Sequence, residues 1–298
     1  MKNSLFSQVK YLAINEQDEN WGLSVTTAGF QSFPPYTPYP PKGHPSQYWF
    51  NPASGRKLNE YQIIYITAGQ GSFRSDSVKP RKTEAGQLII LFPGEWHTYH
   101  PLKHTGWDTY WIGFYGALPD QLINYHFFSK KEAILNVGFN EEIVDLFKKA
   151  IELAQTEHTG FQQILSGMVT YLLGMIYYIV KNNSFEDKDI VSRIEEARMI
   201  MREHPEGNMR PEKIASDLGM SYSWFRKMFK QYTGLSPAQY QLQVKLQKAK
   251  ALLVSSPMTI KEIAYGLEFE SPNYFISFFK SKTGMTPLAF RKMSYGRP

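Results

Sequence analysis

Ile214-Ala215-Ser216-Asp217-Leu218-Gly219, followed by Phe225, Phe229-Lys230 and Thr233-Gly234-Leu235-Ser236-Pro237, returns later in the same chain. The second copy runs Ile263-Ala264-Tyr265-Gly266-Leu267-Glu268, then Phe275, Phe279-Lys280 and Thr283-Gly284-Met285-Thr286-Pro287. The offset is 49 before the turn and 50 after it, so the second copy carries one extra turn residue. Each copy reads as a short helix, a tight turn and a second helix. Two such units in one basic segment suit two successive major grooves of DNA.

The charge distribution agrees. From Val191 onward there are 17 Lys+Arg and 9 Asp+Glu, a net of +8, which leaves 16 and 18, a net of −2, for the first 190 residues. The excess positive charge sits in the segment that carries the repeat, as phosphate binding requires. With no Cys, disulfides, thiol catalysis and Cys-ligated zinc are excluded. Residues 1–21 lack the apolar core of a signal peptide. The longest apolar stretch, near Val169 to Val180, falls short of the roughly 20 residues that span a bilayer. The expectation is a cytoplasmic protein with no membrane partner.

Ahead of the repeat, Tyr61 to Thr67 reads as a strand ending at Gly69-Gln70-Gly71. Gly86 to Phe92 is another, closed by Pro93-Gly94, and Trp107 to Tyr115 is an aromatic-rich third. Short strands with Gly and Pro turns predict an antiparallel barrel or sandwich. The Pro-rich run from Pro34 to Pro52 is a loop or arm. From Glu141 the period becomes helical: Ile143, Leu146, Phe147, Ala150, Ile151 and Ala154 form one stripe. Phe161 to Val180 is apolar over most of its circumference, so it is either wholly buried or shared between the barrel and a second subunit; a homodimer is the preferred reading. The polar Lys181 to Asp189 reads as a linker. The expected domains are 1–180 (barrel about 10–116, helices about 119–180), a linker at 181–190, and a DNA-binding domain at 191–298. Within the last, helix-turn-helix units occupy about 211–233 and 260–283, joined by a linker helix over 237–254.

Helix starts are marked clearly. Ser236-Pro237, Ser271-Pro272 and Thr286-Pro287 each put a capping hydroxyl before a proline, and Thr259 with Glu262 fits a capping box. Projected at ~100° per residue, Phe225, Met228, Phe229 and Tyr232 share a core face, while Ser223, Lys227 and Lys230 point outward with Arg226 on the flank. In the second copy Phe275, Phe278 and Phe279 go inward; Asn273, Ser277 and Lys280 go outward, with Ile276 on the flank. Arg or Lys reads guanine, Asn reads adenine, Ser reads either, and Ile meets a thymine methyl. With Ser221, Tyr222 and Ser271 at the entries, these outward residues form the expected DNA-contacting set. Lys230 and Lys280, farther from the groove-entering ends, go to phosphate.

The segment from about Ile190 to Met293 resembles the DNA-binding domain of AraC-family transcription regulators. The string Tyr274-Phe275, Phe278-Phe279-Lys280, Thr283-Gly284-Met285-Thr286-Pro287, Phe290-Arg291 carries the family signature. Three departures stand out. Glu268 takes the place of the turn glycine that Gly219 supplies in the first copy. Ser277 and Ser281 stand where basic residues are common, and Lys245 replaces a linker-helix Arg. The second unit is therefore expected to read bases less strongly. The strings Leu91 to Tyr99 and Trp107 to Trp111 resemble the cupin-type sensor of the arabinose-responsive members. That resemblance implies a cupin-like or jelly-roll barrel that binds a sugar, with Tyr99 as the pocket Tyr, Trp111 as the stacking Trp, Thr109 at a polar pocket position and Arg56 near the pocket Arg. Glu95 is a further candidate. Five of the six Trp (Trp21, Trp49, Trp96, Trp107 and Trp111) lie in this half, and flat aromatic faces suit sugars.

An enzyme reading fares poorly. His97, His100 and His104 invite a metal, but residues three apart on one strand point to opposite faces, and neither a nucleophile constellation nor a phosphate loop is present. No cofactor, metal or catalytic residue is expected. The sequence thus reads as a ligand-responsive DNA-binding regulator, most simply an activator that contacts RNA polymerase. The alternatives are a non-sugar effector, or a constitutive DNA-binding protein whose barrel only dimerises.

Overall fold

The computed structural model describes residues 7–40, 51–183, 188–206 and 210–294, so Trp49, part of the Pro-rich run and part of the linker lie outside the described residues. The chain divides into two compact units, residues 1–184 and 185–298.

The first unit holds β1 (Ser7–Tyr11), α1 (Glu16–Glu19), β2 (Ser24–Phe33), β3 (Tyr61–Ser75), β4 (Arg81–Glu84), β5 (Gln87–Leu91), β6 (His97–Pro101), β7 (Trp107–Tyr115), α2 (Ala117–Asn124), β8 (Ile134–Asn136), α3 (Glu141–Thr156) and α4 (Phe161–Asn183). All pairings are antiparallel, in the order β1-β2-β7-β3-β5-β8, with β4 and β6 both pairing the far half of β3. The strand expected to stop at Gly69-Gln70-Gly71 instead continues to Ser75. These glycines mark close approach rather than a turn: a Cβ on Gly69 would lie 2.2 Å from the Gly106 carbonyl oxygen, and one on Gly71 would lie 2.3 Å from the Trp107 ring. A register shift between Ile66 and Ala68 bends β3 there, which lets one strand serve both halves of the sheet.

Alternation sorts the side chains of β7. Tyr110, Ile112 and Phe114 face the helices: Tyr110 lies 5.8 Å from Phe147 of α3, and Phe114 stacks on Tyr61. Trp107, Thr109, Trp111 and Gly113 face the barrel interior. α3 buries the stripe read from the sequence except Leu146, which is half-buried, and buries Val144 as well, with Asn140 capping the Ile143 N–H. α4 buries Leu165, Val169, Leu172, Leu173 and Ile176 against the same core. The side chain of its Gln162 accepts from the Val25 N–H and donates to the Val25 carbonyl, filling the backbone gap left by a bulge in β2. The opposite face of α4 is open, with Ile164, Tyr171 and Tyr178 exposed. The helix runs 23 residues and is long and apolar enough to cross a membrane by length and composition, which corrects the expectation of a shorter stretch. Lys181-Asn182-Asn183, expected in the linker, continue α4; Asn182 donates to the Tyr178 carbonyl one turn back.

The second unit is entirely helical among the described residues: α5 (Lys188–Glu203), α6 (Pro211–Asp217), α7 (Tyr222–Thr233), α8 (Pro237–Ser255), α9 (Ile260–Gly266), α10 (Pro272–Thr283) and α11 (Pro287–Ser294). The capping residues act as read. Ser236 and Thr259 form capping boxes with Gln239 and Glu262, and Ser271 caps the Tyr274 N–H. The repeat is larger than the quoted strings. Ile194, Ala197 and Met201 of α5 build the core of the first copy, and Leu246, Ala249 and Leu253 of α8, each 52 residues on, build that of the second. Tyr240 then packs on Phe229 at 5.4 Å, as Phe290 packs on Phe279 at 5.4 Å. α8 is therefore both the end of one unit and the first helix of the next.

Candidate functional site

The turns that set the second helices are held alike in both copies. Gly219 has φ 67° and Glu268 φ 52°, so the residue with a Cβ adopts the left-handed conformation expected of the missing glycine. In the first copy the Arg193 guanidinium donates to the Leu218 carbonyl. In the second, Lys245 Nζ donates to the Glu268 carbonyl at 3.3 Å and lies 5.4 Å from the centre of the Phe269 ring. Burial holds the Lys245 ammonium below its ordinary pKa, against the opposing pull of Glu268. The Lys in place of the linker-helix Arg thus ties α8 to the second turn.

On α7, Phe225, Met228 and Phe229 are buried and Tyr232 is half-buried. Ser221, Ser223, Arg226, Lys227 and Lys230 are exposed on the other side, and Tyr222 is half-buried. On α10, Phe275, Phe278 and Phe279 are buried while Asn273, Ser277 and Lys280 are exposed. Ser271 spends its hydroxyl on the Tyr274 N–H at 3.1 Å, and Ile276 packs partly into the second core. The outward set therefore divides: eight positions (Ser221, Ser223, Arg226, Lys227, Lys230, Asn273, Ser277 and Lys280) are exposed on the surface, whereas Ser271 and Ile276 are partly committed to the fold. Trp224 and Tyr274, at the same position of the two helices, escaped the helical projection; both are exposed, and Lys227 Nζ lies 5.6 Å from the centre of the Trp224 ring.

In the barrel, pairing aligns Val9, Gly29, Trp111 and Ile64 in one row and Tyr11, Thr27, Gly113 and Gln62 in the next row on the same face. Trp111 covers Gly29 so closely that a Cβ there would lie 2.4 Å from the indole. Gly113 likewise leaves room for Glu60, whose carboxylate would lie 2.7 Å from a Cβ and accepts from Gln62 Nε2 at 2.8 Å. Arg56 is fixed by paired backbone hydrogen bonds with His97, each 2.9 Å, and its guanidinium donates to Tyr99 Oη at 2.9 Å. Burial pushes the Tyr11 phenol up to about 12, tempered by the nearby Arg56 and reinforced by Tyr99 and Glu60. Tyr39 is likewise raised by burial next to Tyr99 and Arg56. A polar cluster of Tyr11, Tyr39, Arg56, Glu60 and Tyr99 results.

Of the residues read from the sequence, Arg56 and Tyr99 meet directly, and Thr109 and Trp111 share the interior face of β7. Glu95 is set apart. Its carboxylate accepts from Ser75 Oγ at 3.1 Å and from the Ser77 N–H at 2.9 Å, and pairs with Lys130 at 3.4 Å. Burial alone would raise its pKa, but these partners hold it below the ordinary value. Glu95 therefore pins the β3–β4 connection rather than joining the Arg56–Tyr99 pair. Tyr11, Glu60 and Gln62 were invisible in the sequence because only strand register brings them beside Gly113. His97 is buried; burial, aided by Arg56, pushes its imidazole down to about 4. Its Nδ1 lies 3.1 Å from the Glu95 carbonyl oxygen, so the neutral ring carries its proton there. Among the described residues, no three His, Cys, Asp or Glu side chains cluster as metal ligands.

An antiparallel barrel with a buried polar and aromatic interior, followed by two helix-turn-helix units, defines a DNA-binding regulator with a ligand-binding domain. Residues 44–173 match the family model described as the AraC-like ligand binding domain, and residues 214–293 match a helix-turn-helix domain. The Msm operon regulatory protein of Streptococcus mutans is 24% identical over 238 residues, 78% of this chain and 84% of that protein. The MmsAB operon regulatory protein of Pseudomonas aeruginosa is 23% identical over 245 residues (80% and 77%), and the arabinose operon regulatory protein of Escherichia coli 25% over 245 residues (78% and 81%). The chain belongs to the AraC family of transcription regulators, whose members are not enzymes.

Proposed function

We propose that this regulator is a cytoplasmic transcription activator whose DNA binding is controlled by a sugar held in the barrel. The observation that carries the reading is the bare glycine under Trp111, taken together with the Arg56–Tyr99 pair: a flat apolar face and fixed donors and acceptors are what a pyranose uses. Thr109, Glu60 and Tyr11 complete the hydrogen-bonding set. Similarity to an arabinose operon regulatory protein supports a sugar without specifying which.

On the DNA side, Arg226, Lys227 and Asn273 read bases, Ser221, Tyr222, Ser223, Ser277 and Ile276 make secondary contacts, and Lys230 and Lys280 bind phosphate. Residues 1–180 sense and dimerise, and residues 191–298 bind DNA. The dimer forms through the open face of α4, where Ile164, Tyr171 and Tyr178 repeat every seven residues with Gly167 and Gly174 between them, a seam on which a second helix packs closely. Activation then proceeds through contact with RNA polymerase. A thermal-shift screen of the whole protein against mono- and disaccharides tests the effector: ligand at 100 times its Kd adds about 2.7 kcal/mol to the unit that binds it. A panel without a hit overturns the sugar reading and leaves the DNA-binding one intact.

A further inference from the structure

One difference between the two copies of the repeat falls where their first and third helices meet. In the first copy Tyr232, near the end of α7, lies half-buried against the core built by Ile194, with the Arg198 guanidinium 6.0 Å from its ring centre. Fifty residues on, the same position is Lys282, which stands exposed and makes no ion pair among the described residues. Where the tyrosine ring is missing, a groove of about 110 Å³ opens between α8 and α10. Its floor is Leu235, Leu242, Leu246 and Phe278; its rim is Gln239, Gln243 and Lys282.

Two features of the rim favour negative charge. Lys282 has no ion-pair partner among the described residues, and Gln239 lies in the first turn of the 19-residue α8, whose N-terminal end carries partial positive charge. The floor offers no hydrogen-bonding side chain, which excludes a polyol. The volume is somewhat below the ~150 Å³ of an apolar cavity that accepts benzene. We propose that this groove is a second small-molecule site, for a carboxylate carrying an apolar tail of about six carbons. The carboxylate meets Lys282 and the Gln243 amide, Gln239 keeping its side-chain oxygen on the Ser236 N–H, while the tail covers Leu242, Leu246 and Phe278. Because the groove bridges α8 and the second helix of the second unit, occupancy and DNA binding by that unit are linked, each changing the other's affinity by the same factor. The proposal is independent of any ligand in the barrel.

The test is isothermal titration of the full-length protein with hexanoate, and with hexan-1-ol as the neutral counterpart. Hexanoate is expected to bind saturably at millimolar concentration or below. Lys282→Gln, a change at an exposed position that folding does not depend on, weakens hexanoate roughly tenfold and leaves hexanol unchanged. Lys282→Tyr restores the side chain of the first copy, fills the groove and abolishes both, with its melting curve showing that it is folded. Absence of saturable binding overturns the proposal. So does hexanoate affinity unchanged in either variant, because that puts the ligand elsewhere, the barrel included.

Discussion

Gly29→Ala is the sharpest way to ask whether the Trp111 surface is a ligand platform. Gly29 sits in β2 with no positive φ, so alanine meets no backbone strain and the effect is purely steric. The new methyl would fall 2.4 and 2.5 Å from two carbons of the indole and 2.7 Å from the Gln8 carbonyl oxygen. Carbon contacts settle near 3.5–4.0 Å, so the ring has to retreat by roughly 1 Å. Overpacking of this kind costs about 1–3 kcal/mol, and for a unit of this size each kcal/mol lowers Tm by roughly 2–4 °C. The assay is paired: thermal unfolding, and fluorescence anisotropy of labelled DNA with and without the effector. The expected result is a lowered Tm for the barrel, loss of effector response and unchanged DNA affinity without effector. Full response together with a lowered Tm would refute the reasoning, since the indole would have moved without consequence for the ligand.

Other expectations follow from the same geometry. Lys227→Ala lowers specific DNA binding by ~1–3 kcal/mol and relaxes preference at one base pair; a uniform loss across sequences in a binding-site selection would move Lys227 to phosphate. Gly219→Ala destabilises the second unit by about 1 kcal/mol through its positive φ, whereas Glu268→Gly is neutral to stabilising, as chemical denaturation of the two variants will show. His97 has a folded-state pKa near 4 against an ordinary 6.5. Its neutral form is thus favoured in the fold, and that stability is complete above about pH 6.5 and is lost as pH falls toward 4. The loss is about 3 kcal/mol, and His97→Gln flattens the pH profile of barrel unfolding; Glu95, held low, extends the same trend at more acid pH. Tyr171→Glu with Tyr178→Glu gives monomers in sedimentation velocity if α4 is the dimer seam, and an unchanged dimer assigns the contact to another face.

Legibility in the sequence followed the physical range of each signal. Local chemistry was readable: Ser236, Thr259 and Ser271 cap the helices they precede, and the Phe pairs of α7 and α10 turn inward as their spacing requires. The positive φ of Glu268 was also readable, because alignment of the two copies puts it at the glycine position. Features set by pairing between distant strands were not. Gly69 and Gly71 spell a turn but serve close approach inside β3, and Tyr11, Glu60 and Gln62 reach the pocket through the register that joins β1, β2, β7 and β3. Glu95 sits in a motif that resembles a sensor strand, yet its hydrogen bonds to Ser75 and Ser77 commit it to a turn. The extension of the repeat into α5 and α8 lay at an offset of 52 rather than 49 or 50, and only the shared cores of Ile194 with Ala197 and of Leu246 with Ala249 made it visible.

The most direct test of effector-controlled DNA binding uses DNA selected from a random pool by the protein itself. Affinity for that DNA is measured by anisotropy with and without the sugar that gives the largest thermal shift, in the wild type and in Trp111→Ala. The expected result is a sugar-dependent change in affinity or in the number of half-sites occupied, absent from Trp111→Ala, whose sugar-free DNA binding matches the wild type. Identical DNA binding by the wild type with and without saturating sugar would contradict control through the barrel.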